Sequence, residues 1–178
     1  MRPKLAAGFT LIELIVGIVV VAIALVVISS FLVPQARRSI EPVYQFRAAE
    51  LGSSLMNEIL SKSFDEQSDH TGGGLWRCSE LKPNGQATSC TPASDYGPDA
   101  ATELRQNYND VDDYDTAGSF LAISDSMGVD LSQDYRNYRY RVAIDSSEYG
   151  INQAKRIDLW IQAPDGVEYA FSAYRWNY

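Results

Sequence analysis

The chain has 178 residues, with 15 Lys and Arg against 23 Asp and Glu, a formal net charge of −8 and two cysteines. This length holds a membrane segment plus one domain of ordinary size. The negative balance excludes a general electrostatic affinity for nucleic acid, and the short pairs Arg37-Arg38 and Lys155-Arg156 read as isolated solvated charges.

Residues 1–8, MRPKLAAG, are short and basic through Arg2 and Lys4. By the positive-inside rule they keep this end in the cytosol. An apolar run, residues 9–33, follows. It is longer than the core of a secretory signal, and no Ala-x-Ala site ends it convincingly. At 1.5 Å per residue, a helix of that length spans about 37 Å, enough to cross a hydrocarbon core of roughly 30 Å with some tilt. The remainder of the chain then lies outside the cytosol. The stretch IVGIVVVAIALVVI is a poor helix former in water, but in a bilayer the backbone must satisfy itself and a helix results. Gly17, Ala22 and Ala24 offer small surfaces for close helix–helix approach; the alternative is a plain anchor in which they have no role.

Glu13 interrupts this run near its start, and residues 14–33 carry no charge. An ionised carboxylate near the centre of a membrane helix costs roughly 2.5 to 3.5 kcal/mol and marks a functional candidate. Gly8-Phe9-Thr10-Leu11-Ile12-Glu13, behind a short basic leader and at the head of the apolar run, resembles the class III signal of type IV pilins and type II secretion pseudopilins. The resemblance implies cleavage between Gly8 and Phe9 by a prepilin peptidase, N-methylation of Phe9, and assembly with other pilin subunits by inner-membrane machinery. It also implies that Glu13 pairs with the first-residue amine of a neighbouring subunit. The physics agrees: a new α-amino group has a reference pKa of about 8 and is largely cationic at neutral pH. A cation and a carboxylate buried together cost far less than either alone. The alternatives for Glu13 are snorkelling or protonation.

Pro34 and Pro42 predict a kink or loosening of the helix. Beyond them, VYQFRAAELGSSLMNEILSK repeats apolar residues at helical spacing: Tyr44, Ala48, Leu51, Leu55 and Ile59, with Met56 and Leu60 alongside. Arg47, Glu50, Asn57, Glu58 and Lys62 occupy other faces. This predicts an amphipathic helix that lays its apolar stripe on a domain.

Residues 65–134 are rich in loop signals, with Gly72-Gly73-Gly74, DYGPD and a short helix expected near residues 100–108. Cys78 and Cys90 flank the turn signal Pro83-Asn84-Gly85. Close together and downstream of a membrane-targeting segment, they read as a disulfide in an oxidising compartment. Loop-closure entropy would give such a bridge about 3 kcal/mol. The alternative is two free thiols or half a metal site, although His70 is the only histidine and no CxxC pair is present. The run NDVDDYD holds Asp110, Asp112, Asp113 and Asp115, a density that could ligate calcium. It lacks the glycine of an EF-hand loop. Its other reading is a solvated acidic turn that caps a helix or pairs with Arg139 or Arg141.

The C-terminal part alternates. Tyr138, Tyr140, Val142 and Ile144 share one face, as do Ile157, Leu159 and Ile161. After the turn signal Ala163-Pro164-Asp165-Gly166, so do Val167, Tyr169, Phe171 and Ala173. Three antiparallel strands with one buried face should cover the apolar stripe of the helix, an α+β fold. The pilin resemblance implies the same outline. The expected organisation is a cleaved leader (1–8), a transmembrane and assembly helix (9–33), an amphipathic helix (34–64) and an extracytoplasmic head with the disulfide loop and antiparallel sheet (65–178).

FLVPQARRSIEP, RAAELGSSLMNEIL, Phe64-Asp65-Glu66 and NDVDDY together resemble the D-type minor pilins of the mannose-sensitive haemagglutinin (MSHA) pilus. That resemblance implies a structural subunit that primes or decorates a pilus. It would stand first in the bacterial inner membrane, N-terminus cytoplasmic and head periplasmic, and then on the cell surface, with adhesion by the head left open. Two other readings compete: a minor pseudopilin of a type II secretion system, and a membrane-tethered extracytoplasmic enzyme or binding module. For an enzyme, His70 could work with Ser68, but no GxSxG context, metal constellation or phosphate loop surrounds them. The expectation is a protein that is not an enzyme and holds no cofactor beyond the calcium candidate.

Overall fold

The structure, a computed structural model, describes Gly8 and residues 10–71, 74–100 and 102–178; the side chains of residues 33, 34 and 36–40 lie outside the description. Phe9, residues 1–7 of the leader and Gly72-Gly73 also lie outside the described residues. The chain falls into two units, Met1–Val43 and Tyr44–Tyr178.

One helix, α1, covers Leu11–Leu60. It continues through Pro34 and Pro42, so neither proline ends it. Each proline removes one N–H from the ladder, a local loss that the turns on either side outlast. Leu11–Leu32 is long and apolar enough to cross a membrane, and none of it is buried within the molecule.

In the second unit, four strands form one antiparallel sheet in chain order: β1 (Leu121–Ala122), β2 (Arg139–Asp145), β3 (Ala154–Gln162) and β4 (Glu168–Trp176). The fold is α+β. The three longer strands follow the alternation of the sequence. The short β1, two residues long, carries too little pattern to be read. The register sets Val142 opposite Leu159 and Leu159 opposite Phe171, so one apolar row crosses the sheet.

That row meets the stripe of α1. Ala48, Leu55, Met56 and Ile59 form one buried cluster with Tyr138, Tyr140, Val142, Ile144, Ile157, Leu159 and Ile161. Tyr44, Leu51 and Leu60 pack against it, half-buried. Each fully buried aliphatic side chain contributes about 1.5–3 kcal/mol, which is what holds this half of the helix on the sheet. Gly52 makes the approach close at one point, where the Phe171 ring of β4 fills the space a Cβ would take.

The short helix expected near residues 100–108 is a single 3-10 turn, Arg105–Asn107. Two more such turns follow the loops at Ala93–Asp95 and Asp112–Tyr114. The turn after β3 closes as its sequence suggests: Gly166 adopts φ +85°, and Ala163 N donates to Val167 O at 2.9 Å.

Candidate functional site

The first described turn of α1 is built around Thr10. Its carbonyl accepts from Leu14 N at 3.3 Å, and its hydroxyl accepts a long hydrogen bond from Glu13 N at 3.4 Å. Thr-x-x-Glu is the spacing of a capping box, a signal present in the sequence that hydropathy alone does not show. Glu13 therefore stands in the first turn of the helix rather than its middle. There the unpaired N–H groups and the positive end of the helix dipole favour a carboxylate. Gly8 is exposed just before this turn. Glu13, Leu14, Gly17, Ile18, Val21, Ala22 and Leu25 line one shallow strip of the helix. A Cβ at Gly17 would meet nothing within 4 Å, so the strip is open to another helix. Ala22 joins Gly17 on that strip, and Ala24 does not.

The head holds a second constellation. Lys155, on β3, is 0% exposed, as is Asp65 in the loop after α1. Lys155 Nζ donates to Asp65 Oδ2 at 2.9 Å and contacts Asp112 Oδ1. The rings of Phe64 and Tyr96 lie 4.9 and 5.0 Å from the ammonium. The Lys155-Arg156 pair is thus not the solvated patch its sequence suggests. Alternation along β3 sends Arg156 out to Asp145 and Asp158, and Lys155 in.

The acidic run is likewise no solvated turn. Asp110, Asp112 and Asp113 are buried. Asp110 Oδ1 accepts from the backbone N–H of Asp112 (2.9 Å) and Asp113 (3.2 Å), and Asp113 Oδ2 accepts from Asn109 N (2.8 Å) and Asp110 N (3.2 Å). Asp115 receives Ala117 N at 2.7 Å and Ile144 N at 2.9 Å, which ties the turn to β2. The cationic partner of the run is Lys155, through Asp112. Arg141, expected as a partner, instead sits 4.1 Å from the Trp160 ring and 5.1 Å from that of Phe120. Of the four calcium candidates, Asp113 alone belongs to a trio of carboxylates close enough to share one ion, with Asp99 and Glu103, among the described residues.

Burial, then the neighbouring carboxylates of Asp112 and Asp113, push Asp110 up to about 9. Burial raises Asp112 as well, against the opposing pull of Lys155. Burial pulls the lysine ammonium down, but Asp112 and Asp65 outweigh it and hold it above the ordinary lysine range.

Cys78 and Cys90 are bonded, with Cα atoms 4.8 Å apart, and cluster with Phe64. Between them the Pro83-Asn84-Gly85 turn closes through Gly85 N to Lys82 O at 2.8 Å. Asp65 joins this loop to the lysine site, since its Oδ2 also accepts from Thr91 N at 2.9 Å.

A cleft of about 270 Å³ opens between α1 and the 123–135 loop. At its edge Arg105 pairs with Glu58 at 2.9 Å, and the Tyr114 hydroxyl donates to the same carboxylate at 2.7 Å. Glu58, expected on an outer helix face, is thereby anchored to the head. His70 and Ser68 have separate partners: His70 Nε2 lies 2.8 Å from Glu66 O, and Ser68 Oγ accepts from Cys78 N at 3.2 Å.

Residues 3–29 match the family model of the prokaryotic N-terminal methylation motif. No curated protein and no solved structure matches the chain significantly.

Proposed function

We propose that this chain is a type IV pilin-like filament subunit, processed by prepilin peptidase between Gly8 and Phe9 and N-methylated at Phe9. The observation that carries this reading is the methylation motif over residues 3–29, joined to an apolar helix with Glu13 in its first turn. The helix anchors the subunit in the bacterial inner membrane, head outward, until assembly. Glu13 then takes the α-amino group of a neighbouring Phe9 as counter-charge, and the strip through Gly17 and Ala22 receives the neighbour's helix. The head, stapled by a disulfide, suits an oxidising compartment.

Within this class the reading is a minor pilin of an MSHA-type pilus, supported by the resemblance of FLVPQARRSIEP, RAAELGSSLMNEIL and NDVDDY to the D-type minor pilins. The motif and the helix are equally those of a minor pseudopilin of a type II secretion system. Mass analysis of the N-terminus, on material sheared from cells, tests both levels. A methylated Phe9 start in the sheared pilus fraction supports the minor pilin. The same start confined to membranes of secreting cells supports the pseudopilin. An intact Met1 overturns both.

A further inference from the structure

The filament reading leaves a fully buried lysine of the head without a task. Lys155 is 0% exposed, and a lysine in such a place is rare unless paired. Two carboxyl groups converge on its Nζ, from Asp65 and Asp112, and two aromatic rings shut the site from solvent. A third buried carboxyl, Asp110, holds the same turn, its Oδ1 accepting from Asp112 N at 2.9 Å. A buried ion pair by itself is weak support for a fold, because the desolvation of both charges offsets their attraction. An amine and a carboxyl group held together in a dry cavity have another outcome open to them.

We propose that Lys155 and Asp112 condense into an intramolecular amide, a covalent cross-link between β3 and the turn Asp112–Tyr114. Asp65 Oδ2, 2.9 Å from Nζ, takes one proton from the ammonium and frees its lone pair. Nζ attacks Cγ of Asp112, and a C–N bond forms. Asp110 Oδ1 accepts from the Asp112 backbone N–H at 2.9 Å and fixes the turn that presents Cγ to the amine. The bond from Cγ to one oxygen breaks, and that oxygen departs as water with the two protons the ammonium has lost. One ammonium and one carboxylate become one amide and one water, with no other reactant. Groups held in such contact reach effective molarities on the order of 10⁵–10⁸ M, which drives condensation where water is excluded. The product replaces two buried charges by a neutral amide. Together with the Cys78–Cys90 bridge it would clamp the loops after α1 to the sheet, a bond that reduction does not open and that suits a subunit under tension.

Peptide mapping of the full-length protein, reduced and denatured before digestion, tests this. The expected result is one branched peptide that joins the Asp112 and Lys155 segments and is one water lighter than their sum. Asp112→Asn should give the same branched peptide, now by loss of ammonia, while Asp112→Ala and Lys155→Arg should give linear peptides. Asp165-Gly166 can lose water by cyclising on its own backbone, so the fragment assignment decides rather than the whole mass. Linear peptides at full mass from the unmodified sequence, with Lys155 open to acylation after denaturation, would overturn the proposal whatever the variants do.

Discussion

Gly52 on α1 and Phe171 on β4 share one volume: a Cβ built on Gly52 would overlap the Phe171 ring. The helix accepts a glycine, normally about 1 kcal/mol less favourable than alanine in its interior, because the ring needs that space. Gly52→Ala should therefore destabilise the head, despite the gain in helix propensity, by about 1–3 kcal/mol of overpacking. Phe171→Ala should lose packing. The double variant should lose less than the two singles summed, as chemical denaturation in detergent would show.

Lys155→Met removes the amine that faces Asp65 and, with it, the proposed amide to Asp112, so both carboxyl groups stay buried without their partner. Removing one partner of a buried pair costs about 3–5 kcal/mol. Unfolding transitions should show that loss, while Lys82→Met, on a half-exposed lysine of the disulfide loop, should leave the midpoint unchanged within error.

Stability should depend on pH with the opposite slope to ordinary acid denaturation over the neutral range. Asp110 titrates at about 9 in the folded head and near the usual carboxylate value when unfolded. The folded state then binds the extra proton, and its contribution is complete below pH ~4 and is lost as pH rises through about 9. Asp113, also raised, acts in the same direction. Melting temperatures should fall as pH rises through the neutral range towards about 9, and Asp110→Asn should flatten the slope.

Glu13→Ala should leave the protein in the membrane fraction and exclude it from sheared filaments. Apolar length drives insertion, whereas the proposed pairing with Phe9 makes incorporation depend on the carboxylate. Equal recovery of the variant and the unaltered protein in sheared material would remove the proposed pairing with Phe9. Thr10→Ala should cost about 0.5–2 kcal/mol of helix-end stability through loss of its cap.

Cys78→Ser with Cys90→Ser should cost about 2–5 kcal/mol, the usual loss for a small exported domain. The Asp65–Thr91 hydrogen bond lies next to the bridge, so the double variant should also loosen the lysine site. Hydrogen exchange at Thr91 N–H would report it.

The apolar run, the amphipathic stripe Tyr44–Ile59 and the three long strands are legible because each is a local period, 3.6 or 2, written within one stretch of chain. The residues Gly8 to Glu13 stand out for the same reason, since their meaning lies in their order. β1 is not legible, since two residues cannot show a period. The Thr10 cap is legible in principle, for its spacing to Glu13 is local too.

Charge burial is different. Lys155 beside Arg156, and Asp110 among four acids, look alike whether they face water or the core. What separates them is a partner far away in sequence: Lys155 meets Asp65 across 90 residues and Asp112 across 43. The chain by itself determined where helix and strands form and which faces are apolar. Only the tertiary structure decided which charges lose their water, because desolvation is a property of everything packed around a group and not of its neighbours along the chain.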